Sequence, residues 1–416
     1  MTLRLMKNKH ILNRAATAAV MVLLMWPAKS AACTSFIVSG KVTPDGRPLI
    51  FKNRDTGAWD NVAVLVQGER YRYIGIVGAK DLRPNEVWGG HNEAGFAIMN
   101  TAAYNLNGCK SEDADNDGVV MRRALEVCST LQDFENLLDT LPKPMGVNSN
   151  YGVLDAQGGC AYFETGDNGF VKFDANNPQD APDGYIVRTN HGLSGCRDID
   201  QGVERYMAIS DFMAQACRGK KLECQYLLTQ VPRHLTHGLT KINLYDLMPR
   251  DEQDTKLFPF IDFIPRFITA SMIMVQGVQE GEEPSNTISW TSIGWPVASV
   301  AIPLMIQGNA ELPKVVTRGE DGRAWLSVRA LEQRLHVFCL RRGNKRDYID
   351  IARLINQKGT GIAQRIVPIE AQVLKRGNAV IKKVRKGKAQ GAEQRLREYY
   401  AWVDEYLMKE YPTANN

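Results

Sequence analysis

The sequence predicts a layered α+β fold with a helical extension at its C-terminal end, on three observations. Short apolar runs, bounded by Gly, Pro and Asp turns, fill residues 33–100 and return after residue 150. Between them, from Val119 to Leu141, the apolar spacing is helical. Strand-forming and helix-forming segments therefore come in blocks rather than in strict alternation, which favours a sandwich over a doubly wound parallel sheet.

The first 32 residues read as an export signal. Arg4, Lys7, Lys9 and Arg14 form a basic start, Ala15 to Trp26 is a mostly apolar run of 12, and Ser30-Ala31-Ala32 supplies small residues for cleavage. That run is shorter than the ~18 residues a stable membrane span needs. These residues also carry Lys29 and no acid, so they account for the whole formal charge of +5 and leave residues 33–416 formally neutral. A neutral body gives nucleic-acid binding no general support. The chain is expected in the periplasm or outside the cell, with signal peptidase as its maturation partner.

Eight cysteines in an exported chain suggest disulfides. Without Cys33 the remaining seven cannot all pair, and Cys217 with Cys224 is a plausible local loop. No CxxC pair or grouped Cys/His spacing supports a zinc site, and no cofactor or metal is expected. Asp113 to Gly118 fits half of a calcium loop, but its twelfth position is Ala124, where a bidentate Glu is required. An acidic turn before the next helix is the simpler reading. His234 and His237 read as a loop pair.

In chain order, a strand from Cys33 turns at Pro44-Asp45-Gly46 and returns over Pro48 to Arg54. Asn61 to Gln67 and Arg70 to Val77 form a second pair, and Val87 to Asn100 reads as strand, turn, strand. Helices follow over Val119 to Val127 and Leu131 to Leu141, the second opened by Thr130 and Asp133 as a capping box variant. Strands are expected at Tyr151 to Asp155, Cys160 to Glu164, Phe170 to Asp174 and Tyr185 to Thr189, then helices at Val203 to Cys217 and Leu222 to Val231. Phe267 to Val275, Thr287 to Ile293 and Val297 to Ile306 are apolar and rich in β-branched residues. The last hundred residues hold a basic run from Lys382 to Lys388 and a charged helix over Ala389 to Tyr411, whose aromatic stripe reads as a docking surface.

The chemistry converges on Cys33. If cleavage leaves it first, one residue carries a thiol and an α-amine of pKa near ~8, a nucleophile beside its own base. Cys33-Thr34-Ser35-Phe36, then Phe51-Lys52-Asn53-Arg54-Asp55, Asn92 to Asn100, and Arg188-Thr189-Asn190-His191 together resemble the N-terminal-nucleophile hydrolases. Within these, the likeness is to the choloylglycine hydrolase, penicillin V acylase and acyl-coenzyme A:6-aminopenicillanate acyltransferase branch. It runs clearly over residues 33 to about 215, fades to about 306 and is absent beyond.

The resemblance implies a four-layer αββα sandwich of two mainly antiparallel sheets, and cleavage of a linear amide outside a peptide chain. It implies Cys33 as nucleophile, Asp55 as the group orienting its amine, Asn100 and Asn190 near the reacting carbonyl, and Arg205 as a supporting arginine. Family members commonly show Arg-Asn-x-Asp, which puts Lys52 at the arginine position while Arg54 stands two residues later. Either cation would favour the thiolate; Arg54 is expected to take the firmer hydrogen-bonding role, and one of the two to be solvent-facing or structural. The implied substrate is a small N-acyl amide, with acyl transfer as the nearest alternative. A non-catalytic lipoprotein, lipidated at Cys33, is the alternative from another class, although Ser30 stands where such signals want a Leu-like residue. The expected organisation is a signal over 1–32, a catalytic domain over 33–311 and an extension over 312–416 packed on it; homo-oligomerisation is left open.

Overall fold

A computed structural model of the chain describes residues 32–108, 116–197, 201–340, 347–386 and 391–412. The expected signal up to residue 31, Cys109, Asp113 to Asp115, and Gly387 to Ala389 lie outside the described residues. Residues from Ala32 onward form one compact unit.

The first hairpin joins β1 (Ala32–Val38) to β2 (Leu49–Asp55), antiparallel, with every residue of both strands buried. Then come β3 (Asn61–Gln67), β4 (Arg72–Gly78), β5 (Gly89–Asn92) and β6 (Ala97–Ala102). Helices α1 (Asp117–Val127) and α2 (Leu131–Thr140) follow. In α2 the expected capping box is complete, because Thr130 Oγ1 accepts from the Asp133 amide while the Asp133 carboxylate accepts from the Thr130 amide. Four more strands, β7 (Ser149–Leu154), β8 (Cys160–Gly166), β9 (Gly169–Asp174) and β10 (Tyr185–Arg188), precede α3 (Val203–Arg218) and α4 (Cys224–Gln230). The remainder holds β11 (Leu257–Pro259), β12 (Thr269–Gln276), β13 (Ile288–Ile293), β14 (Ile302–Leu304), α5 (Trp325–Val337), β15 (Tyr348–Asp350), α6 (Ile351–Leu354), α7 (Ile362–Lys386) and α8 (Ala392–Glu410).

Two antiparallel sheets carry the architecture. One has the order β10-β1-β2-β12-β13-β14 and the other runs β3 to β9 in sequence order, while β11 pairs β15 separately. They pack face to face, with β1 and β2 against β6. The joints between them are polar as well as apolar: Ser35 Oγ meets Tyr162 Oη at 2.6 Å, and His91 Nδ1 meets Ser289 Oγ at 2.5 Å. Helices α1 and α2 cover the outer face of the seven-stranded sheet, and α3 and α7 cover the six-stranded one. This is the αββα layering, with a C-terminal helical extension.

The extension shares the core. The buried Arg233–Glu370 pair (2.5 Å) ties the segment after α4 to α7, Glu370 also accepts from the Ala301 amide, and Tyr400 Oη accepts from the Met305 amide. Leu396, Tyr399, Tyr400, Val403 and Leu407 of α8 are buried, so much of the expected aromatic stripe is used internally.

Several boundaries differ from expectation. Only Ile302–Leu304 of the apolar run 297–306 is a strand; the rest is buried connection, in which the Ala298 and Ser299 amides close turns and the Ala301 amide donates to Glu370. Phe267 precedes its strand and packs edge-on against Trp59 and Phe338. Cys217 and Cys224 are both free thiols, since Cys224 faces Met274 in the interior, whereas Cys196 is disulfide-bonded.

Candidate active site

Because side chains alternate along a strand, β1 divides its residues between two faces. Cys33 and Ser35 point between the sheets, with Arg54 opposite Cys33 and Lys52 opposite Ser35. Thr34 points towards α3, as does Asn53 across from it, and Ala32 stands opposite Asp55. Cys33 thus has two cations on its own face and a carboxylate on the far one.

Its backbone is held on both sides. The Cys33 amide donates to Asn190 Oδ1 at 3.0 Å, and its carbonyl accepts from Arg205 Nη1 at 2.5 Å. Arg205 also donates to Thr34 Oγ1 (3.1 Å) and, through Nη2, to Asn190 Oδ1 (2.7 Å), which closes a ring of three residues. At 2% exposure this arginine is a core residue, unlike the usual solvated helix arginine, and burial lowers its pKa. Asn190 is fixed in turn: its Nδ2 donates to the Ala102 carbonyl, and the following loop is anchored on Glu164. That carboxylate receives Arg188 Nε, the Leu193 and Ser194 amides and Ser194 Oγ.

Asp55 is buried at the end of β2. Its Oδ1 accepts from Thr269 Oγ1 (2.6 Å), while Oδ2 has no hydrogen-bond partner and stands 3.8 Å from Arg266 Nη1. Burial raises its pKa, opposed by the charges of Arg266 and Arg205. An acceptor with a vacant lone pair, on the strand position facing Ala32, is suited to receive an amine.

Of the two alternatives expected for one of these cations, solvent-facing or structural, the first does not hold for either, because the paired sheets enclose Lys52 and Arg54, at 1% and 7% exposure. Lys52 Nζ donates to the Trp88 carbonyl (2.9 Å) and to Asn100 Oδ1 (2.6 Å). Burial pulls it down to about 8, resisted by the neighbouring Cys33 and by Asp117. Arg54 donates to Asn61 Oδ1 (2.9 Å) and stacks on Trp88 at 4.5 Å, and burial brings it down to about 10. Asn100 lies within β6, not at its end, and its amide Nδ2 donates to Asp117 Oδ2 (3.1 Å) and Ser149 Oγ (3.0 Å). With those donors engaged, Asn100 serves Lys52 as an acceptor instead of addressing a carbonyl.

Three residues here were not anticipated: Trp88, which covers both cations; Arg266, beside Asp55; and Asp117, which was read only as part of an acidic turn. Among the described residues no group of three metal-ligating side chains occurs, and no helix is long and apolar enough to cross a membrane. A cleft of about 940 Å3, lined by Lys41, Gln132, Lys172 and Glu280 among others, shares no lining residue with this cluster.

Two cations and a carboxylate thus stand around the strand end that carries the Cys33 thiol. Residues 42–219, a little under half of the chain, match the family model described as acyl-coenzyme A:6-aminopenicillanic acid acyl-transferase. The match bears out the resemblance to the N-terminal-nucleophile branch, and it contains Lys52, Arg54, Asp55, Asn100, Asn190 and Arg205, with Cys33 just before its start. A comparison with curated proteins finds no match.

Solved structures similar to the chain include a mutant conjugated bile acid hydrolase from Clostridium perfringens, at 15% identity and TM-score 0.28, covering 41% of this chain and 55% of that one. An N-acylethanolamine-hydrolyzing acid amidase ortholog from Caenorhabditis elegans aligns at 16% identity and TM-score 0.32, over 47% of this chain and 85% of that one. Penicillin V acylase from Agrobacterium tumefaciens aligns at 10% and 0.35, over 66% and 86%. The chain thus spans about half the length of the bile acid hydrolase, and at these TM-scores the likenesses carry no argument.

Proposed function

We propose that this chain is an exported cysteine amidohydrolase of the N-terminal-nucleophile type, acting on a small N-acyl substrate. Removal of residues 1–32 frees the Cys33 amine beside the position of Ala32, which pairs with Asp55; the unpartnered Oδ2 of Asp55 is the observation that carries the reading. The amine takes the thiol proton, directly or through a water, and the thiolate attacks the amide carbonyl. Asp55 fixes the direction of the amine lone pair; Lys52 and Arg54 favour the thiolate by charge; Asn190 and Arg205 hold the Cys33 backbone still. The amine returns the proton to the leaving group, and water then resolves the acyl thioester. A second reading, transfer of the acyl group to an amine, is favoured by the acyl-transferase description of the family matched.

The test is mass spectrometry of the mature N-terminus, followed by turnover on a panel of acyl amides. A start at unmodified Cys33, with hydrolysis abolished in Cys33→Ala, is expected. A diacylglyceryl mass on Cys33 would indicate a lipoprotein, and undiminished turnover in Cys33→Ala would remove the thiol from the mechanism. Product analysis with added amine separates hydrolysis from transfer.

A further inference from the structure

The feature least accounted for by the proposed chemistry is the buried carboxylate of Asp117. It stands in the first turn of α1, yet it caps nothing there: the helix has no side-chain cap. Its side chain turns inward, at 6% exposure, where an unpaired charge is costly. The next residue, Gly118, packs so closely on Glu86 that an added Cβ would lie 2.7 Å from the Glu86 Cβ.

What the carboxylate reaches is Asn100 Nδ2, at 3.1 Å, and through that amide the Lys52 ammonium, 2.6 Å from Asn100 Oδ1. The amide is oriented with its donor end on the anion and its acceptor end on the cation. Each bond polarises the other, so the asparagine passes the charge of Asp117 to Lys52. Ser149 Oγ and the Asn148 amide hold the arrangement from β7 and its approach. Lys52 lies on the Cys33 face of the β1–β2 pair, opposite Ser35 and two residue pairs along from Cys33 itself.

We propose that Asp117 is a positioning residue for the Cys33 thiol, acting through Asn100 to keep Lys52 charged and aimed at it. The inference rests on the reading of Cys33 as nucleophile. Its electrostatics are consistent: burial lowers Lys52, Cys33 and Asp117 raise it, Arg54 lowers it, and Asp55 raises it slightly. Burial pushes Asp117 up to about 6, against the pull of Ser149, Asn148, Lys52 and Asn100, and Tyr151 is a further titratable group beside it. Without the carboxylate, Lys52 would lose its proton at lower pH, and the thiolate would lose its counter-charge in the neutral range.

The experiment is the pH profile of iodoacetamide alkylation at Cys33 in the mature chain, read by mass spectrometry of its N-terminal peptide. Asp117→Asn is expected to move the midpoint to higher pH and slow alkylation at pH 7 by roughly three- to tenfold, with Asp117→Glu restoring part of the rate. Lys52→Met should do at least as much, and Asp117→Asn should add nothing in the Lys52→Met background. A wild-type profile in Asp117→Asn, or effects that add in the double variant, would overturn the proposal. Should Asp117→Asn not fold, Asn100→Ser cuts the same relay; a raised midpoint supports the proposal and a wild-type midpoint overturns it. Alkylation needs no substrate, so this result is distinct from a failure of the catalytic reading, which is judged by turnover in Cys33→Ala.

Discussion

At the scale of single residues, the site separates groups that hold Cys33 from groups that tune it. Arg205 and Asn190 grip its backbone, while Lys52 and Arg54 set the charge around its thiol. Asp55 belongs to neither set: its Oδ2 accepts no hydrogen bond and it pairs with Ala32, so the proposed cleavage is what would give it an amine to receive. Asp55→Asn should leave folding intact, as Thr269 Oγ1 can still donate to the amide oxygen, and should lower kcat by about 100-fold with little change in KM. Steady-state kinetics on the best acyl amide checks this, and an unchanged kcat would remove Asp55 from proton transfer. The residues of motif order, Cys33, Asp55, Asn190 and Arg205, were legible in the sequence because each sits in a short local pattern. Trp88, Asp117 and Arg266 were not, since their tie to the site runs across the interface between sheets or from a neighbouring strand's approach, and nothing local marks it.

At the scale of elements, hydrogen-bond chemistry at element ends was the easiest part to read. The Thr130–Asp133 box is visible as two side chains at the right spacing, and it forms because each satisfies an amide the helix leaves unpaired. Thr130→Ala should cost about 1 kcal/mol; urea titration measures it, and a variant as stable as wild type would show that Asp133 alone suffices. The 25-residue α7 was harder to read, because Pro368 and Gly377 within it look like breakers. Packing overrides that cost. At Gly377 an added Cβ would lie 2.7 Å from Tyr399 Oη and 2.9 Å from Pro303 Cγ, so the glycine admits α8 and the sheet to the same spot. Strand ends shifted for a related reason, since 297–301 is apolar because it is buried, not because it is paired.

For the whole molecule, the interface between sheets contains groups that make stability depend on pH. Burial drives His91 down to about 3, so it stays neutral between β5 and β13, bound to Ser289. Its folded pKa lies below the unfolded value of ~6.5, so its contribution is present above that pH and is lost as pH falls towards 3, by about 1.4 kcal/mol per unit. Asp117 runs the other way: raised to about 6, it stabilises below ~4, and that contribution is lost as pH rises through 6. The two offset each other between pH 6 and 4. His91→Asn should therefore lose less stability than wild type as the pH falls from 7 to 5, seen as a smaller drop in Tm. Parallel curves for the two proteins would show that His91 does not titrate against folding.

The sequence by itself determined the strand and helix blocks, the neighbours of Cys33 along β1 and β2, and the motif order that resembles one branch of N-terminal-nucleophile hydrolases. Those follow from periodicity and short-range pattern, which a chain carries locally. Only the tertiary structure decided that both cations are buried, that Asn100 faces Lys52 and Asp117, that Cys224 turns into the core rather than to Cys217, and that the C-terminal helices complete the catalytic unit's core. These depend on which faces meet when two sheets close, and that choice is made by packing between segments far apart in sequence.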